Sequence, residues 1–157
     1  MTEKAAGADA TGMQTRAEKK GNSTYVLNGE KWFSSAASVA DIALVMAKTN
    51  PDAPRHQQFS TFLVELPNPG YRVVRDIETM AAHGPLSEIL GGGHSEVKIE
   101  NLEVPAENLL GGEGNGFNMG QHRLAYGRLR HGMHNVAMAQ RALDTGDLTV
   151  PTPTDVP

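Results

Sequence analysis

Residues 25–35 constrain the fold of this chain more than any other stretch. Asn28 and Gly29 stand there between two runs of strand-forming residues, and Asn-Gly in that setting is the strongest short hairpin signal, because a type I′ turn needs positive φ at both central positions. The stretch therefore predicts a β-hairpin that turns at these two residues. Its second arm carries Trp32, the only tryptophan, followed by Phe33 and two serines. This group suits a flat, hydrogen-bonding ligand, although the hairpin alone favours burial of the indole in the core.

The rest of the first 110 residues predicts further strands joined by tight turns. Seventeen glycines and nine prolines favour such an arrangement over a helical bundle. The apolar run within 41–49 predicts a strand buried on both faces, with a short helix as the alternative. The other predicted strands lie around 13–17 and over 58–66, 71–77 and 94–100. Residues 78–93 predict a long loop of the kind that often has a function.

The hydrophobic period changes after the glycine-rich segment 111–116. Apolar residues then recur at helical spacing and predict one amphipathic helix over 117–144, which ends at Thr145 and Gly146. A helix of this kind is stabilised mainly by tertiary packing, so it either lies across the sheet or packs against further helices. The Thr- and Pro-rich residues after it predict a disordered tail. The predicted fold class is mainly β, with a single long helix at the end.

Composition excludes several classes of function. With 157 residues, the chain is long enough for one domain with a core. The 14 basic residues are scattered among 18 acidic ones, so neither nucleic acid nor an anionic membrane is an expected partner. The absence of cysteine excludes disulfides and thiolate metal sites. Without a signal-peptide pattern or a membrane-spanning run, we expect a cytoplasmic protein of a bacterium, or one of an organelle interior, that is not secreted.

Short motifs do not identify a reaction. The pattern Gly112-x-Gly114-x-Gly116 before the helix lacks the Lys-Ser/Thr of a phosphate-binding loop and favours a hinge. His131 and His134 are three residues apart on the helix, but no third metal ligand accompanies them, so no metal is expected. Neither a Gly-x-Ser-x-Gly nucleophile motif nor a defensible pair of catalytic carboxylates is present.

Longer motifs carry a resemblance to a known family. Residues 1–9 resemble a loop of the form Met-Thr-Glu-Pro-x-x-Gly-Ser-Asp, and residues 27–34 resemble Leu-Asn-Gly-x-Lys-Trp-Ile-Thr/Ser. Residues 104–117 match Val-Pro-x-x-Asn-Leu-Leu-Gly-x-x-Gly-x-Gly-Phe. In this order the motifs resemble the acyl-CoA dehydrogenase family. Residues 92–94 and 127–131 resemble more narrowly the branch that contains members ten and eleven of the mammalian family.

The resemblance implies a domain organisation and an activity. Residues 1–112 would form the middle β-barrel domain, residues 113–145 the start of the C-terminal helical domain, and residues 146–157 a disordered tail. The implied activity is FAD-dependent α,β-dehydrogenation of an acyl-CoA thioester, with an electron-transfer flavoprotein as the oxidant of the reduced flavin. In the family, a glutamate removes the α proton while the β carbon delivers hydride to flavin N5. The full-length family also implies a homo-oligomer.

The resemblance assigns site residues position by position. The cofactor FAD would be bound by Met1, Thr2, Gly7, Trp32, Phe33 and Ser34. The acyl-CoA substrate would be bound by Ala8, Ala125, Tyr126, Gly127 and Arg128. No catalytic residue and no metal ligand is assigned within this chain.

The sequence departs from the family motifs at three positions. Lys4 replaces the usual proline, and Ala8 replaces a serine whose hydroxyl contacts ligand. Gly127 stands where some branches carry the catalytic glutamate, which other branches place in the last helical domain. We therefore expect a truncated fragment of a dehydrogenase that binds FAD weakly and does not turn over acyl-CoA alone. The alternative is a noncatalytic β-barrel module that pairs with another chain through the 117–144 helix.

Overall fold

The computed structural model describes residues 1–79 and 93–146 and contains a seven-stranded mixed sheet followed by one long helix. The strands are β1 (Arg16–Lys20), β2 (Thr24–Ser35), β3 (Ile42–Lys48), β4 (Phe59–Glu65), β5 (Tyr71–Ile77), β6 (His94–Pro105) and β7 (Leu109–Leu110). Their order in the sheet is β5-β6-β2-β1-β3-β4-β7, with β1 and β3 as the parallel pair. The predicted fold class is confirmed. The chain divides into two compact units at residues 119 and 120.

The sheet of the first unit curves around a single main core. Tyr25 of β2 and Phe62 of β4 lie with ring centroids 4.9 Å apart, although β1 and β3 separate their strands in the sheet. Only a curved sheet brings such strands face to face. The fully buried side chains of this core include Leu27, Phe62, Val97 and Leu102. Burial of each such side chain stabilises the fold by about 1.5–3 kcal/mol.

The predicted hairpin turn at Asn28 and Gly29 is wrong. Strand β2 runs without a break from residue 24 to residue 35, and the side-chain oxygen of Asn28 accepts a hydrogen bond of 2.8 Å from the amide of Asn101 on β6. The pairing of β2 with β6 shifts register here, which marks a β-bulge. The hairpin that does form joins β1 to β2, with Lys20 paired to Thr24.

Gly29 serves close packing and not a hairpin turn. Its φ is +154°, and a Cβ at this position would lie 2.4 Å from Oγ1 and 2.7 Å from Cα of Thr15. Thr15, which precedes β1 and continues its alignment with β2, therefore lies directly against this glycine. A side chain here would push Thr15 away from the strand.

Strand β3 is buried on both faces only in its second half. Ile42 and Leu44 are 55% and 63% exposed, which contradicts the prediction for the start of this strand. Met46 lies on the same face but is buried against Ala6, Met13 and other residues of a second, smaller cluster. The N-terminal loop, residues 1–15, thus covers one end of this face. The strand predicted around residues 13–17 begins later, at Arg16.

The helix α1 spans Gly116–Asp144 and confirms the predicted range. It ends as expected, because Gly146 has φ +68° and its amide donates to the Leu143 carbonyl at 3.2 Å. The exposed apolar side chains of α1 include Tyr126, Leu129, Met133 and Val136. In the ranges that the structure covers, no helix has both the length and the apolar character needed to cross a membrane. The predicted tail from residue 147 and most of the predicted loop, residues 80–92, lie outside the described residues.

Candidate functional site

A bulge in β2, at the second register shift in its pairing with β6, places two neighbouring aromatic rings side by side. The pairing of β2 with β6 skips from Lys31 to Ser34, so that Trp32 and Phe33 together oppose the single residue Glu96. Phe33 has φ +54°, a conformation that is rare for residues other than glycine and that clusters at functional sites. The two ring centroids are 5.6 Å apart in an edge-on contact. Trp32 is half-buried and Phe33 is 45% exposed, so the bulge presents aromatic surface to solvent.

The N-terminal loop is attached to β2 beside these rings. The backbone amide of Trp32 donates to the Thr2 carbonyl at 2.8 Å. On the neighbouring residues, Lys31 Nζ lies 2.7 Å from Glu3 Oε1, and both side chains are nearly fully buried. The Glu3 carboxylate also accepts hydrogen bonds from the Thr15 amide and hydroxyl, at 3.1 and 2.6 Å. A buried ion pair with these extra donors fixes the loop against the strand.

The buried pair has a defined charge state. Burial alone would raise the pKa of the Glu3 carboxyl, but the charge of Lys31 and the hydrogen bonds from Gln14, Lys31 and Thr15 together lower it below 4.5, its ordinary value. Burial lowers the pKa of the Lys31 ammonium group, and the facing Glu3 charge opposes that shift. The carboxylate is therefore ionised at neutral pH and holds the loop by charge-assisted hydrogen bonds.

Acid should destabilise the protein partly through Glu3. Because the carboxyl has a lower pKa in the folded chain than its ordinary 4.5, its contribution to stability is fully present above that value and is lost as pH falls through the folded pKa. We expect the free energy of unfolding, measured in urea between pH 7 and pH 3, to fall less steeply below pH 4.5 in Glu3→Gln than in the wild type. Part of the slope should remain, since the pKa values of Glu96 and Glu113 are lowered too. Equal slopes in the two proteins would contradict this assignment.

Two cations lie over the indole ring and share one carboxylate. Lys4 Nζ lies 4.6 Å from the Trp32 ring centroid, and Arg75 Cζ lies 5.4 Å from it. Lys4 binds one oxygen of Glu96, and Arg75 Nε lies 3.0 Å from the other. The hydrogen bond from Lys4 is the main cause that lowers the pKa of this carboxyl, and Arg75 adds to it. The indole therefore lies within a charged network that joins the loop, β5 and β6.

The structure brings part of the expected cofactor set together. Thr2, Trp32, Phe33 and Ser34 lie where the loop meets β2, and Met1 packs beside the smaller cluster. Within residues 1–79 and 93–146, no hydrogen bond joins the hydroxyl of Thr2 or Ser34 to another residue. Both hydroxyls can therefore serve a ligand. Gly7 and Ala8 are exposed in the same loop.

The expected substrate residues on α1 belong to the second unit. Ala125, Tyr126 and Arg128 are exposed, and Gly127 is half-buried. An Arg128 guanidinium nitrogen donates to Gln121 Oε1 at 3.0 Å, which leaves other donors of its fork for a ligand.

No metal centre is built from the described residues. In those ranges, no group of three or more His, Asp or Glu side chains is placed to hold an ion. His131 and His134 are exposed on α1. The expectation that the chain carries no metal ligands stays a prediction.

Sequence reasoning missed Glu3, Lys31, Arg75 and Glu96. One signal for Lys31 was available. Lys31 lies an even number of positions from the core residues Tyr25 and Leu27 on the same strand, so its side chain should point to the same, inward face. A lysine is rarely buried without a partner, so this position could have prompted a search for a carboxylate. No comparable local signal marks the other three residues.

Comparisons with known proteins agree with the motifs. Residues 1–91 match the model of the acyl-CoA dehydrogenase middle domain. The chain is 43% identical over 142 residues to acyl-CoA dehydrogenase family member 11 of Gallus gallus, and this alignment covers 88% of this chain and 18% of the relative. It is 38% identical over 146 residues to family member 10 of Mus musculus, and this alignment covers 91% of this chain and 13% of that relative. The chain therefore spans under a fifth of the length of these two proteins.

A solved structure supports the same assignment. The acyl-CoA dehydrogenase from Geobacillus kaustophilus superposes with a TM-score of 0.68 at 36% identity, over 79% of this chain and 31% of that one. The match of the middle-domain model to more than half of the residues decides the assignment. This chain belongs to the acyl-CoA dehydrogenase family, in the branch of members 10 and 11.

Proposed function

We propose that this chain supplies the flavin-binding wall of an FAD-dependent acyl-CoA dehydrogenase, an oxidoreductase that dehydrogenates an acyl-CoA thioester between its α and β carbons. The observation that carries the proposal is the bulge that presents Trp32 and Phe33 side by side next to the N-terminal loop. A flat, fused ring system fits an aromatic surface of this kind by stacking. The family membership of the chain points to FAD as that ring system.

The residues around the wall fit the isoalloxazine ring of FAD. Its carbonyl and nitrogen groups need hydrogen-bond partners, and the hydroxyls of Thr2 and Ser34 are near the wall. When bound, FAD supplies the hydride acceptor of the reaction. Trp32 and Phe33 would hold the ring and exclude water from it, and the loop residues Met1 and Gly7 would also contact the cofactor.

The helix residues are proposed for the other ligand. Arg128 carries a fixed positive charge and exposed donors, which suit the phosphate groups of a CoA thioester. Ala125, Tyr126 and Gly127 are the other contacts proposed within the second unit, and Ala8 is a contact proposed within the first unit. An electron-transfer flavoprotein is the proposed oxidant of the reduced enzyme.

Proton abstraction is not assigned to a residue of this chain. Gly127 has no side chain that could act as a base, although it occupies the position where some branches carry the catalytic glutamate. We therefore expect the isolated chain to bind FAD weakly and to show no reduction of a dye by acyl-CoA.

Titration with FAD tests the proposal directly. Trp32 is the only tryptophan, so its fluorescence should be quenched in a saturable manner as the flavin ring stacks on it. Equilibrium dialysis should show that Trp32→Ala weakens FAD binding about tenfold or more, because the stacking surface is lost. Tyr126→Ala, which removes an exposed aromatic ring from α1, is the matched control and should leave binding unchanged.

Two results would contradict the proposal. One is the absence of saturable quenching at millimolar FAD, and the other is equal FAD affinity in Trp32→Ala and the wild type. Stoichiometric yellow protein with steady turnover of acyl-CoA would instead contradict the expected weak binding and inactivity of the isolated chain.

A further inference from the structure

Three separate segments meet at the Trp32 indole. Lys4 comes from the N-terminal loop, Arg75 from β5 and Glu96 from β6, and both cations bind the Glu96 carboxylate beside the ring. The ion pairs of Lys4 and Arg75 with Glu96 span 92 and 21 residues of sequence. Glu96 is therefore the common partner of the elements that surround the indole.

We propose that Glu96 is a positioning residue that holds Lys4 and Arg75 against the Trp32 indole and so fixes the ring in the orientation that receives FAD. This inference rests on the proposed function for its ligand, but not for the network itself. Glu96 lies opposite the bulge and does not itself belong to the expected cofactor set.

The position of Glu96 makes this role possible. As the single residue that opposes both Trp32 and Phe33, it lies at the point where β2 departs from regular pairing. Its side chain is 9% exposed, whereas those of Lys4 and Arg75 are 47% and 58% exposed. The carboxylate is thus the fixed element of the network, and the long cationic side chains are ordered by it.

The charges explain why the network depends on this carboxylate. Two cations near one indole repel each other, and each is free to turn towards solvent unless an anion between them offsets the repulsion. A cation at this distance is attracted to the face of an indole. Removal of the Glu96 charge should therefore release both cations and leave the indole with more freedom, which raises the entropic cost of binding a ligand.

Lys4 is the part of the network that distinguishes this chain from the family motif, which has a proline at that position. A proline offers no charge to Glu96 and no cation to the indole. In this chain Lys4 therefore adds a cation to the network that a proline at this position could not supply.

The experiment compares Glu96→Gln, Lys4→Met and the matched control Arg72→Met. Arg72 also lies on β5 and pairs with a β6 carboxylate, Glu100, at 3.8 Å, but among the described residues it makes no cation–π contact with Trp32. Acrylamide quenching and anisotropy of the single tryptophan report the freedom of the ring without any ligand. Dialysis against FAD then reports affinity, and circular dichroism verifies the fold.

We expect Glu96→Gln to raise the acrylamide quenching constant, to lower the anisotropy, and to weaken FAD binding about five- to tenfold, as the loss of two cation–indole contacts implies. Lys4→Met should show smaller changes in the same direction, and Arg72→Met none. In Glu96→Asp, which retains the charge, the changes in tryptophan fluorescence and in FAD affinity should both be smaller than in Glu96→Gln.

Unchanged quenching and anisotropy in both Glu96→Gln and Lys4→Met would overturn the inference, whatever the flavin result. If Glu96→Gln fails to fold, Lys4→Met decides, because its exposed side chain lies outside both core clusters. If the wild type does not bind FAD, the proposed function fails, while the fluorescence comparison still tests whether Glu96 positions the indole.

Discussion

Lys31→Met should lower the free energy of unfolding by about 3–5 kcal/mol, because it leaves the Glu3 carboxylate buried without its counter-charge. Both side chains of this pair are under 5% exposed, and their charged atoms are 2.7 Å apart. Water cannot replace the missing ammonium group at such a site. Urea denaturation at pH 7, followed by circular dichroism, measures the loss.

Two further variants separate the charge effect from simple loss of packing. In Glu3→Gln/Lys31→Met both members are neutral, so the double variant should recover much of the stability lost in Lys31→Met. Lys20→Met breaks the exposed pair of Lys20 with Glu103, whose side chains are 65% and 57% exposed, and should cost at most about 1 kcal/mol. If Lys31→Met costs no more than Lys20→Met, the buried pair does not hold the loop on β2.

Lys31→Met should also affect the proposed flavin-binding wall. Lys31 and Trp32 are consecutive, as are their partners on the loop, since Trp32 donates to the Thr2 carbonyl and Lys31 binds Glu3. The ion pair therefore fixes the register of the loop against the strand at the very residues that would contact FAD. The stability of the fold and the proposed FAD site would then both depend on this ion pair.

Much of the fold could be predicted from local pattern. Strand-like patterns over residues 58–66 and 71–77 predict strands β4 and β5 nearly at their observed ends, although β4 is buried on both faces and only β5 packs against the core with one face. The change to helical spacing gave α1 within one residue at its start. These signals depend on neighbours in sequence and need no knowledge of tertiary contacts.

The two bulges between β2 and β6 could not be predicted in that way. Asn28 and Gly29 have a strong intrinsic preference for a turn, but pairing with β6 and the approach of Thr15 decide their conformation. Regular alternation would likewise put Trp32 and Phe33 on opposite faces. They lie together only because Glu96, more than sixty residues away, opposes both.

The motif comparison points to the proposed flavin-binding wall but not to the residues that support it. Trp32 and Ser34 match family positions, whereas Glu3 and Glu96 act through contacts that connect distant parts of the chain. Ion pairs between residues 92 or 28 positions apart leave no periodic signal. Only the arrangement of the loop, β2 and β6 shows them.

Gly29→Ala is expected to be nearly as damaging as the loss of Lys31, with a cost of about 3–5 kcal/mol. The new Cβ would lie within 2.7 Å of the Cα and Cβ of Thr15, and backbone atoms cannot turn away as a flexible side chain can. Forced overpacking costs about 1–3 kcal/mol, and a glycine-only backbone conformation adds a similar amount. Urea denaturation of the variant measures the sum.

Gly21→Ala is the matched control, because Gly21 also has positive φ, +68°, but no atom lies within 4 Å of a Cβ built there. Gly21→Ala should lower the free energy of unfolding by about 1–2 kcal/mol, which is the cost of holding an alanine in the left-handed conformation. If the two variants cost the same, Thr15 does not press on β2. Since Thr15 donates its hydroxyl to Glu3 at 2.6 Å, Gly29→Ala should also displace Glu3 from Lys31 and weaken FAD binding, whereas Gly21→Ala should leave FAD affinity unchanged.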